Sequence, residues 1–203
     1  SLRAVDAGAL VVCAASGVEV GTEKCWGMLE ELDLPRIFIV NKLDRENADF
    51  DRTVSAIQDF FGRQVVPVQI PLGSEQDFNG VIDLIKKKAY VFQDGESGKF
   101  KEVDIPDEVK KDAEKKAEEL TEMIAENDEK LMESYFEKGE LSAEELIKGF
   151  KKSIFERQLF PVFMSSAEKN VGAQQILDGI INFLPNPLEK EEIKGQKDSV
   201  KLS

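Results

Sequence analysis

Two short apolar runs, each ending abruptly at a polar or small-residue turn, constrain this chain more than any other feature. The first, Ala9 to Ala15, is rich in valine and bounded by Gly8 and Gly17. The second, Ile37-Phe38-Ile39-Val40, ends at Asn41-Lys42-Leu43-Asp44. Runs of this length, β-branched and flanked by glycine or proline, predict strands buried on both faces. The spacing after each is helical. Thr22 to Glu31 sets Trp26, Met28 and Leu29 among charges, and Asp49 to Phe61 repeats Val54, Ile57, Phe60 and Phe61, with Gly62 as the stop. Strand, helix, strand, helix predicts a parallel sheet, and hence an α/β fold whose ligand sits at the carboxyl ends of the strands.

The pattern changes near Val66. Val66 to Leu72, Gly80 to Ile85, Ala89 to Phe92 and Phe100 to Ile105 read as short strands, with Gly73, Asp94-Gly95 and Gly98 as turn signals. Pro106 then opens a long charged helical stretch. It breaks at Asn127-Asp128 and at Gly139, and restarts at Ser142 to Glu145, a capping-box pattern. Alternation resumes with the strand Phe160 to Phe163, the turn Ser165-Ser166-Ala167 and a helix from Val171 to Phe183. These shifts divide the chain into 1–65 and 158–188 of one α/β domain, an α+β insertion over 66–157, and a charged linker over 189–203.

Composition sets limits on function. The 203 residues are 41% apolar, enough for a packed core, and the longest apolar run falls well short of the roughly 18 residues that a membrane helix needs. A net charge of −13 argues against a broad grip on nucleic-acid phosphates, so a macromolecular partner of this segment is expected to be protein. The absence of histidine removes imidazole as a general base or metal ligand. Cys13 and Cys25 show no metal or redox spacing and read as core or half-buried thiols, which suits a reducing cytoplasm.

Asn41 to Asp44, at the tip of a buried strand, carries the chemistry. The carboxylate of Asp44 can accept two hydrogen bonds at once, which suits the ring N1–H and the exocyclic amine of guanine; adenine offers neither in that arrangement. The second turn, Ser165-Ser166-Ala167, stands at the tip of a later strand and can converge on the same ligand. There the Ala167 N–H could donate to guanine O6, where adenine presents a donor. Asn41 would reach the N7 side and tie the two turns together, while the stem of Lys42 would lie over the purine face. The competing reading is a plain turn with a solvated lysine and an aspartate helix cap.

These residues resemble the fourth and fifth guanine-recognition motifs of translational GTPases, and the wider match is to elongation factor G. Asp6-Ala7-Gly8-Ala9-Leu10-Val11-Val12, Ser16-Gly17-Val18-Glu19 and Thr22-Glu23 resemble that family's segment after its third motif. Pro35-Arg36, Asn41 to Arg45, Pro67 to Gly73, Phe78 to Leu84, Pro161 to Ala167 and Leu184 to Pro187 follow in the same order. The resemblance implies the C-terminal part of a G domain, a partial P-loop NTPase-type parallel sheet carrying the family's extra α+β subdomain. It implies GTP and GDP as ligands, with the base read by Asn41, Lys42, Asp44, Ser165, Ser166 and Ala167. The family usually has Gly-Ser-Ala where this chain has Ser165-Ser166-Ala167. The sequence holds no Gly-x-x-x-x-Gly-Lys-Ser/Thr and no Asp-x-x-Gly with a following histidine. By the resemblance those parts, which cradle phosphate, bind Mg²⁺ and carry catalysis, lie in front of these residues, so this stretch alone is expected to be inactive.

From Lys101 to Arg157, eighteen acidic residues face eleven basic ones. A solvated helix face is the plain reading. The resemblance implies a docking surface for the stalk protein of the large ribosomal subunit, with Glu118, Glu122 and Glu126 as contacts on a monomeric factor. Translocation is the role it implies. A related GTPase for ribosome recycling, ribosomal protection or release-factor removal, or a non-catalytic interaction module, is the alternative.

Overall fold

The chain forms a parallel sheet and an antiparallel sheet that share their cores. The computed structural model describes residues 2–93 and 98–186. The turn Asp94-Gly95 and the linker 189–203 lie outside those residues. In order, the elements are β1 (Gly8–Cys13), α1 (Val20–Glu31), β2 (Arg36–Asn41), α2 (Phe50–Phe61), β3 (Val65–Pro67), β4 (Gln69–Leu72), β5 (Gly80–Asp83), β6 (Lys88–Phe92), β7 (Phe100–Val103), α3 (Asp107–Ala125), α4 (Glu129–Lys138), α5 (Ala143–Phe155), β8 (Phe160–Met164) and α6 (Ala173–Phe183). Strands β1-β2-β8-β3 make the parallel sheet and β4-β5-β6-β7 the antiparallel one.

Local chemistry sets the helix boundaries. Asp49 caps α2 by accepting from Arg52 N–H at 2.9 Å, and α2 ends at Gly62. Asp128 caps α4 through Lys130 and Leu131 N–H, and Ser142 and Glu145 close a reciprocal capping box on α5.

One face of the parallel sheet packs Leu10, Val12, Phe38 and Val40 against α1 and α2, through Trp26, Leu29, Phe50, Val54, Ile57 and Phe61. At the opposite end from the strand tips, Arg36 is 3% exposed, with its guanidinium 4.3 Å from the Trp26 ring and 5.0 Å from the Phe160 ring. Burial pushes its pKa below the ordinary arginine value, yet it keeps donors engaged on the Leu34 and Trp26 carbonyls. The second core gathers Ile37, Phe163 and Ile176 with Ile70, Ile82, Leu84 and Ala89 of the antiparallel sheet, under α3 and α5.

Two sequence expectations are modified. The run Ala9 to Ala15 reads as buried on both faces, but Val11 is 60% exposed. Strand β1 is the edge of its sheet, so the register row Val11, Ile39, Phe163 is covered only towards β8, where α6 packs over Phe163. The run Val66 to Leu72 is two strands in two sheets. Its polarity never changes, but its partner does: β3 pairs with β8 and β4 with β5. Val68 bridges them, donating to the Val162 carbonyl at 3.2 Å and accepting from Leu84 N–H at 3.1 Å.

Candidate functional site

Strands β2 and β8 are neighbours, so the turns at their carboxyl ends meet. Asn41 makes the junction. Its Oδ1 accepts from Lys42 N–H at 2.8 Å, Ser165 Oγ at 3.1 Å and Ala167 N–H at 3.0 Å. The backbone adds two links: Ser165 N–H donates to the Val40 carbonyl at 2.9 Å, and Leu43 N–H reaches the Ser165 carbonyl at 3.4 Å. One amide oxygen thus serves three donors, and Asn41 is half-buried in doing so. Lys42 holds a left-handed backbone (φ 67°), a conformation that a lysine adopts at some cost and that turns the chain sharply at the strand tip.

Asp44 behaves in the opposite way. Its Oδ1 is buried and has no hydrogen-bond partner; among the described residues, the Gln175 Oε1 shares that condition. A buried acceptor without a donor is unfavourable by about 1–3 kcal/mol, which a ligand carrying N–H groups would relieve. Leu43, between these polar residues, is 4% exposed and anchors the turn in the core.

The second turn is equally fixed. Ser166 is fully buried and exchanges backbone hydrogen bonds with Val171, while its Oγ accepts from Lys169 N–H at 3.1 Å. Gly172 sits at φ 83°, where a Cβ would lie 2.5 Å from the Met164 carbonyl oxygen, so a larger residue would push the turn off the strand tip. Ala167 is exposed, and its N–H is spent on Asn41.

The floor is closed by β1 and α2. Ala14 N–H donates to the Asn41 carbonyl at 2.8 Å, and the Ala14 carbonyl accepts from Asp49 N–H and from Thr53 Oγ. Cys13 is half-buried beside Asn41 at the tip of β1, within the expectation from the sequence, whereas Cys25, read the same way, is exposed on α1. Burial acts to raise the Cys13 pKa, but hydrogen bonds from Ser16 and Ala15 and the charge of Lys42 outweigh this and hold it below the ordinary thiol value. Neither Thr53 nor Cys13 carries a motif; only their places at the strand tip and in the first turns of α2 mark them.

Asn41, Lys42, Ser165 and Ala167 are brought together by direct bonds, with Asp44 and Ser166 on the same two turns. Glu118, Glu122 and Glu126 lie elsewhere, exposed at four-residue intervals, the first two on α3 and Glu126 as its C-cap. Beside them stands Tyr135 of α4, whose hydroxyl pKa is raised first by burial and then by Glu122 and Glu118. Among the described residues, no group of three or more His, Cys, Asp or Glu could hold a metal ion, and no helix is long and apolar enough to cross a membrane.

Comparison with known proteins shows the family and the fold. The chain matches the family described as the elongation factor Tu GTP binding domain over residues 1–186. Its fold is similar to that in a crystal structure of a protein from Thermus thermophilus, with a TM-score of 0.84 and 34% sequence identity over 93% of this chain. The match covers 28% of that protein, so the chain spans less than a third of its length. Since the family match takes in both strand-tip turns and everything between them, the chain belongs to the translational GTPases, the family of the elongation factor Tu GTP-binding domain.

Proposed function

We propose that this chain is the base-reading part of the GTP-binding domain of an elongation factor G-like GTPase that acts in ribosomal translocation in the cytoplasm. The observation that carries the reading is the pairing of opposites at the tip of β2: Asn41 Oδ1 is saturated and Asp44 Oδ1 is orphaned. Asn41 joins the turns, leaving Asp44 to accept the N1–H and N2 donors of guanine. Asp44 then selects guanine because adenine would leave its charge unpaired in a desolvated place. The Ala167 N–H can serve guanine O6 only by being shared with, or taken over from, Asn41. Lys42 supplies a stem against the purine face, and Ser165 and Ser166 hold the second turn in register.

Hydrolysis needs groups other than these. The phosphate loop, the Mg²⁺ ligands and the group that activates water belong to the motifs that this sequence does not contain, and in a protein of this family they would come from another segment. The ribosome is the proposed partner, through the large-subunit stalk protein on the acidic stripe of α3, with the factor acting as a monomer.

Asp44→Asn in the GTPase tests the reading. Xanthine carries a carbonyl where guanine carries its amine, so an asparagine amide that donates there should reverse the preference towards xanthosine nucleotides. Competition binding with xanthosine and guanosine diphosphates measures this, and an unchanged preference for guanosine would remove Asp44 from the site.

A further inference from the structure

The loop between β4 and β5, Gly73 to Asn79, belongs to the antiparallel sheet but reaches both turns of the base site. On one side Glu75 Oε1 accepts from Asn47 N–H at 2.7 Å. Asn47 stands three residues past Asp44 in left-handed backbone (φ 64°), and its carbonyl accepts from Arg52 Nη2 at 2.8 Å, so both backbone polar groups of this residue are held by side chains. On the other side, the Gln76 carbonyl accepts from the Lys169 ammonium, two residues past Ala167. Beneath lies Phe78, fully buried in the same core cluster as Leu43 and Phe50 under the first turn and Val171 under the second.

The loop is built for this reach. Gly73 has φ 81°, and a Cβ there would lie 2.1 Å from the Asp77 carbonyl oxygen. Glu75 itself is left-handed at φ 49°, a backbone conformation that a glutamate adopts only at a cost. A single 3₁₀ turn, Glu75–Asp77, closes on Ser74 and delivers Phe78 downward. Linking β4 to β5 does not itself require a strained glutamate aimed at an amide 28 residues away in the chain.

We propose that the Gly73–Asn79 loop is a brace that fixes the spacing of the two guanine-recognition turns, with Glu75 as a positioning residue that acts through Asn47 on the turn carrying Asp44. The inference rests on the base-site reading given above. The brace touches no base. It limits the freedom of the turns before binding, so less ordering remains to oppose it.

The test uses isotope-labelled 203-residue chain, followed by NMR amide signals and titrated with GDP, with ADP as the control. Glu75→Ala removes the acceptor, whereas Glu75→Gln keeps an amide oxygen in its place. Without nucleotide, Glu75→Ala should shift the signals of Lys42 to Asp44 as well as that of Asn47. With GDP, it should weaken binding about three- to tenfold, and Glu75→Gln should return it to within about twofold, since one neutral hydrogen bond to a backbone amide is at stake. Shifts confined to Asn47, unaltered GDP affinity in Glu75→Ala, or an equal loss in both variants would each overturn the brace while leaving the base site standing. A wild-type chain that responds alike to GDP and ADP, with both turns silent, would overturn the base site and the brace together.

Discussion

Asp83 shows how a single carboxylate can cost stability while holding a turn. Its Oδ1 accepts from Ile85 N–H at 2.9 Å and Lys86 N–H at 2.8 Å, closing the corner after β5. Burial nevertheless pushes its pKa above the ordinary carboxylate value, against the two amides and Lys86, and Asp178 adds to the rise. The native state therefore holds this proton more tightly than the unfolded chain. The associated stability is fully present below the ordinary value of about 3.9 and is lost as pH rises through the raised one. Asp83→Asn keeps the accepting oxygen and removes the charge. It should raise the melting temperature at pH 7 and lose that advantage near pH 3.5. Melting curves at the two values check it, and an equal gap at both would mean that charge is not the cause. Residues of this kind were invisible in the sequence, where Asp83 is one acid among forty. Asn41 and Asp44 were legible because they end an apolar run, and a polar cluster at a strand tip has few structural uses. Glu75 was not legible, because nothing local ties it to an amide 28 residues away.

Helix α3 was readable as an element because its pattern is periodic: Ala113, Ala117, Leu120 and Ile124 are buried while Glu118, Glu122 and Glu126 stay exposed on one stripe. Its neighbours were readable from their ends, since Asp128, Gly139 and Ser142 are boundary residues by their own chemistry. Strands fared less well. An apolar run says that a segment is buried, not which partner it pairs with, so the change of sheet at Val68 left no mark. The α3 stripe lies on a different element from the two turns of the proposed base site, and Lys116, bonded to Asp51 at 3.0 Å, ties α3 back to the first turn of α2. If the stripe docks the stalk protein, reversing Glu118, Glu122 and Glu126 to lysine should slow ribosome-stimulated GTP hydrolysis by about tenfold or more at low salt, less at high salt. Nucleotide affinity of the free protein should stay unchanged. Stopped-flow turnover with and without ribosomes separates the two, and equal loss in both would assign the stripe to folding.

At the scale of the whole molecule, the two sheets meet at the tip of β8, where Met164 N–H donates to Gln69 Oε1 at 3.2 Å, next to the turns of the proposed base site. The shared core runs from Leu10 and Phe38 through Phe78 to Tyr90 and Phe92, so both sheets bury side chains in one cluster. The alternation of strands and helices foretold the parallel sheet; its open edge at β1, with Val11 exposed, could not be read from a run as apolar as Leu10-Val11-Val12. The 203 residues hold no Gly-x-x-x-x-Gly-Lys-Ser/Thr, the motif whose backbone amides cradle phosphate. A nucleoside diphosphate held through its base alone forfeits the charge-assisted bonds that dominate nucleotide affinity, yet still gives up its own freedom of motion. The 203-residue chain should therefore bind GTP or GDP no tighter than about millimolar, near −4 kcal/mol, while still preferring guanine to adenine. Calorimetry that returned micromolar affinity would require a phosphate site among these residues, and would move the centre of binding away from Asp44.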